Sequence, residues 1–208
     1  MANIIIGGRR DCAIRLNHLI AMFQFRHYIF YEKLGWEVPS INNMEIDEYD
    51  EMDPVYILSA PDKKTVNGCV RLMPTTGSYM LKDTFPQLLR GEKAPVSDDV
   101  WEYSRFAVAS GSKNDRSQVV VNEATLGILL ASVNFAFSKG IREYVAVISV
   151  SMERYIKNWI GMSMERLGDG MAIYVGKTLT TAVRVVMNQQ TFDALEILSD
   201  QLNRREAA

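Results

Sequence analysis

The chain has 208 residues, of which 48% are hydrophobic, and a formal net charge of −2. That length and apolar content suffice for one sizeable core, and no Pro-, Gly- or Ser-rich stretch offers a linker, so the reading is a single domain over residues 1–208. Charge divides as 11 basic and 15 acidic side chains in residues 1–102 against 12 and 10 in residues 103–208, a balance that argues against a nucleic-acid partner. Two cysteines, Cys12 and Cys69, are too few for a disulfide framework, and a charged Arg9-Arg10-Asp11 stands where a signal peptide carries an apolar run. No stretch reaches the roughly 18 apolar residues of a membrane span. The expectation is a soluble, reduced, cytoplasmic protein with no membrane partner.

In chain order, Asn3-Ile4-Ile5-Ile6 before Gly7-Gly8 predicts a short buried strand and a turn. Asp11 is then placed to cap a long helix that runs toward Gly35, a C′ residue, and Arg26 and Phe30, four apart, share a face of it. An acidic, irregular segment covers 45–53. Strands follow at 54–59 and 68–74, joined by a polar turn through Pro61-Asp62-Lys63-Lys64, with a third at about 100–109. Residues 119–139 form an apolar helix closed by Gly140, 144–150 alternate like a strand, and 151–161 form a helix with basic side chains on one side. Strands near 171–176 and 178–187 precede a last helix near 190–203. Helices interleaved with both hairpins and crossovers predict an α/β fold, a three-layer α/β/α sandwich around a mixed sheet.

Spacing sets several chemistries aside. His18 and His27, nine apart, fall on opposite faces of a helix, and no cysteine accompanies them at ligand spacing, so no metal site is expected. Gly7-Gly8 lacks the Lys and Ser/Thr of a phosphate-binding loop, and neither G-x-S-x-G nor G-x-G-x-x-G is present at a strand-to-helix turn. What remains is a set of charges and aromatics that a plain core does not require. Residues 45–53 hold six carboxylates, which on composition alone read as a solvated loop. Arg26, Arg71 and Arg105 lie among apolar neighbours on predicted regular elements, and a half-buried guanidinium needs a carboxylate; Asp47 and Asp50 are natural partners. Such a network serves structure as readily as catalysis. Phe30 and Trp36 read either as core or, beside carboxylates, as receivers of a cationic ligand.

The strings Arg26-His-Tyr-Ile-Phe30, Leu34-Gly-Trp36, Glu45-Ile-Asp47-Glu-Tyr-Asp50, Arg71-Leu-Met-Pro-Thr-Thr-Gly-Ser-Tyr-Met-Leu81, Phe85-Pro-Gln-Leu-Leu and Trp101-Glu-Tyr-Ser-Arg-Phe106 resemble the acyl-homoserine lactone synthases, the LuxI-type autoinducer synthases of bacterial quorum sensing. The resemblance covers nearly the whole chain in order. It is densest over 26–106 and alignable through 122–190. It implies a fold similar to that of the acyl-CoA N-acetyltransferases, in agreement with the element order above. It also implies a reaction: the α-amine of S-adenosylmethionine is acylated from an acyl-carrier-protein thioester, and the lactone then closes with loss of methylthioadenosine. S-adenosylmethionine is thus a substrate, and no cofactor is expected.

On that resemblance Glu102 takes the place of the family's proposed base, since acylation needs a neutral amine, and backbone N–H groups near Ser104, Arg105 and Phe106 are candidate oxyanion donors. Arg26, Phe30, Trp36, Asp47, Asp50, Arg71, Phe85 and Arg105 match positions that build the S-adenosylmethionine pocket and its bracing ion pairs. Leu126, Leu129, Leu130 and Val133 on the helix, with Ala146, Ile148 and Met152, are candidates for the acyl tunnel; ordinary core is the competing reading of each. Ala146 stands where members selecting 3-oxo chains often carry threonine, which implies an unsubstituted or 3-hydroxy acyl chain. An acidic carrier protein calls for a basic docking face, and Arg142, Arg154 and Lys157 are its candidates, against a merely solvated face. Two alternatives stay open. One is an N-acyltransferase of the same fold using acyl-CoA, against which residues 114–121 lack the glycines of a pyrophosphate loop. The other is a catalytically silent small-molecule binder.

Overall fold

The structure is a computed structural model, and it describes residues 3–109 and 122–206. Its fold class is α/β, a mixed sheet with helices on both sides, as the interleaved elements predict. By contacts the chain divides into two compact units, residues 1–72 with 105–131, and residues 73–104 with 132–208. Residues 119–121 of the predicted helix and the glycine-poor segment 114–121 lie outside the described residues.

In the first unit, β1 (Ile4–Gly8) pairs antiparallel with β4 (Val55–Ser59), and β4 with β5 (Gly68–Pro74). The end of β6 (Val100–Val108) adds to β5, where Ala109 N–H donates to the carbonyl of Asn67. Tyr56, Ile57 and Leu58 are all fully buried, so β4 is covered on both faces and reads as a continuous apolar run rather than an alternating one. Leu58 pairs with Cys69, and both join the cluster formed with Leu19, Met22 and Phe23 of α1 (Leu16–Arg26). The next pair, Ser59 and Gly68, faces the other way by strand alternation. There Ile128 of α3 (Glu123–Lys139) comes so close that a Cβ on Gly68 would lie 2.8 Å from its Cδ1.

The predicted Asp11 cap is not what starts the first helix. Asp11 Oδ1 accepts Ala13 N–H within a turn, and α1 begins at Leu16 after Arg15, which makes no side-chain cap. An α-helix also does not carry on to Gly35. From His27 to Lys33 the chain widens into π-helical turns, closed by Leu34 N–H on the carbonyl of Ile29, and Gly35 then takes a left-handed φ of +64°. The acidic segment is ordered as well. A two-residue hairpin of β2 (Ser40–Ile41) and β3 (Met44–Glu45) leads into a 3₁₀ turn at Glu48–Glu51.

In the second unit the strand order is the start of β6, then β7 (Glu143–Ser149), β10 (Thr178–Val186) and β8 (Glu165–Arg166), with β9 (Ile173–Val175) also on β10. β6 and β7 are parallel and the remaining pairs antiparallel, which makes the sheet mixed. Val145 and Ala182 pack on one face with Tyr79, Leu81, Leu88 and Val100. Ala146 and its partner Val183 pack on the other with Met164. The predicted helix 151–161 is a six-residue α4 (Val150–Tyr155) widening into π turns at Ile156–Ile160. Two short elements had no signal in the sequence, α2 (Met80–Asp83) and a 3₁₀ turn at Pro86–Leu89. The last helix, α5, spans Gln189–Glu206.

Candidate functional site

The charged set predicted from sequence meets in the first unit as a closed ring. Arg26, the last residue of α1 and fully buried, donates Nε–H to Glu45 and forks onto Asp50 at 2.8 and 2.9 Å. Arg71 on β5 donates to Asp50 at 3.0 Å and, through both terminal nitrogens, to Asp47. Arg105 on β6 donates to Asp47 at 2.7 Å and to Glu45 at 3.1 Å. Arg26, Glu45, Arg105, Asp47, Arg71 and Asp50 therefore alternate in sign around a circuit of six ion pairs that sums to zero charge. That balance is what allows three guanidinium groups to be desolvated together.

The acidic strand-turn segment is shaped to supply these carboxylates. Asp47 caps the 3₁₀ turn by accepting Tyr49 N–H at 3.0 Å, while Asp50 reaches back to the Asp47 N–H at 2.9 Å, a reciprocal capping box. Tyr56 O–H donates to Asp50 at 2.8 Å. Burial penalises the Asp50 carboxylate, yet the guanidinium groups of Arg26 and Arg71 outweigh it and hold the group well below the ordinary carboxylate range. Glu45 is likewise lowered, burial being outweighed by Arg26 and Arg105. Burial and the neighbouring Asp50 push the Tyr56 phenol upward, so it stays a donor. Cys69, fully buried beside the ring, is pushed up by burial to about 12 and stays a thiol.

The aromatic pair is bound to the same ring. Phe30 and Trp36 stack at 5.2 Å with 12° between planes, and the Arg105 guanidinium lies 5.6 Å from the Phe30 centroid. The π turns create this stack, because Trp36 N–H closes back on the Phe30 carbonyl at 2.9 Å after the Gly35 reversal. Phe30 is buried and Trp36 is 39% exposed. Arg105 has φ +55°, rare for a non-glycine residue, and burial along β6 changes phase there, from Val100 and Glu102 to Ala107. An inserted residue of this kind turns the Arg105 side chain toward its two carboxylates.

Glu102 belongs to the second unit. It is 1% exposed, and its two oxygens accept Met80 N–H at 3.1 Å and Leu81 N–H at 2.7 Å, the first amides of α2. Ser104 and Phe106 are half-buried on β6. Phe85 packs against the core of Tyr79, Leu81 and Leu88.

Of the tunnel candidates, Leu126, Leu129, Val133 and Ala146 are buried, and Leu130, Ile148 and Met152 partly so. A cavity of about 140 Å³ in the second unit is lined by residues including Gly161, Met164, Arg184 and Asn188, and by none of those seven. Two docking candidates are already paired, Arg142 with Asp99 at 3.0 Å and Lys157 with Glu153 at 2.8 Å. Arg154 is exposed on α4. Glu45 and Tyr56 were absent from the sequence-derived site. Glu45 stood among six neighbouring acids with nothing local to single it out, and Tyr56 in an apolar strand. Among the described residues no group of three His, Cys, Asp or Glu side chains could hold a metal ion, and no helix is long and apolar enough to cross a membrane.

This α/β fold has counterparts. Residues 13–195 match the autoinducer synthase family. An acyl-homoserine-lactone synthase of Aliivibrio fischeri is 38% identical over 169 residues, 81% of this chain and 86% of its own. The crystal structure of the acyl-homoserine-lactone synthase LasI superposes with a TM-score of 0.80 at 36% identity, covering 94% of this chain and 95% of LasI. BjaI, a CoA-dependent acyl-homoserine lactone synthase solved with SAM and isopentyl-CoA, gives 0.75 at 27% identity, over 95% and 90% of the two chains. An N-acetyltransferase of Lactobacillus plantarum, 11% identical with a TM-score of 0.55 over 89% and 98%, shares the fold alone. The protein is therefore an acyltransferase in class. It belongs to the autoinducer synthase family.

Proposed function

We propose that this acyl-homoserine-lactone synthase joins S-adenosylmethionine to an acyl group delivered as an acyl-carrier-protein thioester, within one synthase domain over residues 1–208. The observation that carries the reading is the closed ring of Arg26, Glu45, Arg105, Asp47, Arg71 and Asp50 with the Phe30–Trp36 stack bound to it. A half-exposed tryptophan face backed by a rigid charged ring suits a ligand that carries a sulfonium and an adenine. In this reading Trp36 and Phe30 receive the cationic and adenosyl part, and the ring holds the segment from which they project.

The amine nitrogen attacks the thioester carbonyl carbon, its proton passes to Glu102, and the carrier thiol leaves. Backbone N–H groups between Ser104 and Phe106 hold the oxyanion of the tetrahedral intermediate. In the second step the ligand's own carboxylate oxygen attacks the carbon that bears the sulfonium, and methylthioadenosine departs. That closure is a matter of holding the ligand curled. Ala146, Ile148, Met152, Leu126, Leu129, Leu130 and Val133 would flank the acyl chain. With no hydroxyl at 146, an unsubstituted or 3-hydroxy chain is preferred.

Exposed Arg142 and Arg154 support a carrier-protein donor. The CoA dependence of BjaI supports the competing donor. The deciding assay incubates the protein with S-adenosylmethionine and acyl-carrier-protein or acyl-CoA thioesters of varied length and 3-substitution, and follows lactone and methylthioadenosine by mass spectrometry. Both products, formed faster from the carrier-protein thioester, are expected; acyl transfer that does not need S-adenosylmethionine overturns the reading. Arg154→Glu is expected to raise KM for the carrier protein several-fold with kcat little changed.

A further inference from the structure

The π turns at His27–Lys33 do more than seat Phe30 against Trp36. In an α-helix residues five apart point well away from each other, whereas these wider turns bring Glu32 toward His27, with Oε1 3.5 Å from Nε2. The His27 ring is 7% exposed and stacked on Tyr31 at 5.0 Å, which fixes its plane. Its other nitrogen, Nδ1, is 2.6 Å from Ser40 Oγ. Ser40 is exposed, and it is fixed in place because β2 pairs it directly with Glu45, itself anchored in the ion ring. The turn between, Asn42-Asn43, has φ of +53° and +59°, as a tight two-residue hairpin demands.

These three side chains form a relay. At 3.5 Å Glu32 is a charged neighbour of Nε2 and not a hydrogen-bond acceptor; its charge favours the tautomer that carries the proton on Nε2, and in that neutral tautomer the Nδ1 lone pair accepts the Ser40 O–H across 2.6 Å. The hydroxyl and imidazole are thus in the contact that makes a serine nucleophilic, with a carboxylate facing the far nitrogen of the ring. None of the three residues belongs to the ring or to the proposed lactone chemistry.

We propose that Ser40 is an activated nucleophile that accepts acyl groups from thioesters, with His27 as its base and Glu32 as the residue that orients the imidazole. Ser40 Oγ bonds to the carbonyl carbon, its proton passes to His27 Nδ1, the carbon–sulfur bond breaks, and the leaving thiolate takes that proton back. Water, activated by the same imidazole, then cleaves the serine ester to give the free acid. The choice of a thioester as donor rests on the synthase reading above; the nucleophilicity of Ser40 does not.

The test uses the full chain and two probes. A fluorophosphonate reports the nucleophile, since its phosphorus bonds to Oγ with loss of fluoride and the adduct persists. Octanoyl-N-acetylcysteamine reports acyl turnover as release of octanoate. Peptide mapping is expected to place the phosphonyl group on Ser40, with labelling and octanoate release both lost in Ser40→Ala and slowed about 10²-fold in His27→Gln. A label on another residue, Ser40 labelling no faster than in the urea-unfolded chain, or octanoate release unchanged in Ser40→Ala would overturn the proposal. The comparison with unfolded wild type holds even if His27→Gln fails to fold. Lactone output from S-adenosylmethionine, measured on the same samples, separates this result from a failure of the synthase reading.

Discussion

Two of the buried anionic centres among the described residues, the ion ring and Glu102, are satisfied in opposite ways. In the ion ring, every carboxylate is held chiefly by guanidinium groups that reach it from elements 19 to 60 residues distant in sequence. Glu102 is held instead by two backbone amides at the start of a four-residue helix. A ring of full charges is stable only while every member is present, because deleting one leaves another buried and unpaired. Backbone amides cannot be mutated away, so these two contacts survive most side-chain changes and are lost with Glu102 itself. The contrast assigns the ring to holding the fold of the first unit and leaves Glu102 as the more direct candidate for proton transfer.

The sharpest way to break the contrast is Asp50→Asn. It leaves Arg26 and Arg71 short of a counter-charge and sets an amide against the Tyr56 hydroxyl, and it is expected to cost about 3–5 kcal/mol in urea unfolding. A loss within about 0.5 kcal/mol would show that the ring is solvated and not structural. Glu102→Gln tests the other centre. If the carboxylate is the base, kcat falls about 10²- to 10⁴-fold and the acidic limb of the pH–rate profile disappears from the residual activity. If Glu102 serves only to hold α2, activity and thermal stability fall together and the limb remains.

Acid separates the two regions next. Asp50 and Glu45 have folded-state pKa values below their unfolded ones, so the ring contributes its full stability above the unfolded values of roughly 4 and loses it as pH falls further, through the lowered folded values. Unfolding free energy of the wild type is therefore expected to decline steeply below about pH 4. The Asp50→Asn chain, short of one such group, should decline less over the same range. Parallel slopes would remove the ring as the source of the acid sensitivity.

Much of this was legible in the chain, and the limits are physical. The order of strands and helices followed from periodicity, as did Val55–Ser59, Gly68–Pro74 and Thr178–Val186 within a residue or two. The need of Arg26, Arg71 and Arg105 for carboxylates followed from the cost of burying a charge, and Asp47 and Asp50 were the natural partners. Glu45 closes the circuit, but which of six clustered acids turns inward is decided by the β2–β3 hairpin and not by any local pattern. The π turns at His27–Lys33 arose from a segment whose side chains suit an α-helix equally well, so the His27–Glu32 and Phe30–Trp36 contacts could not be read from spacing. α2 is a single turn, too short for a 3.6-residue period to register, and the anchoring of Glu102 was hidden with it.

The smallest effect concerns Ala146, and it asks whether a core position can also read the acyl chain. Ala146 lies opposite Val183 on β10 and packs with Met164, so any larger residue strains that cluster and confuses a change of specificity with a change of packing. Threonine and valine have nearly the same shape. Comparing Ala146→Thr with Ala146→Val cancels the packing cost and leaves the hydroxyl. One hydrogen bond to a 3-oxo group contributes about 1 kcal/mol, so in competition between 3-oxo and unsubstituted donors the threonine chain should favour the 3-oxo donor about fivefold more than the valine chain does. An equal shift in both variants would mean that residue 146 acts through volume alone, which removes the ground for proposing an unsubstituted or 3-hydroxy chain.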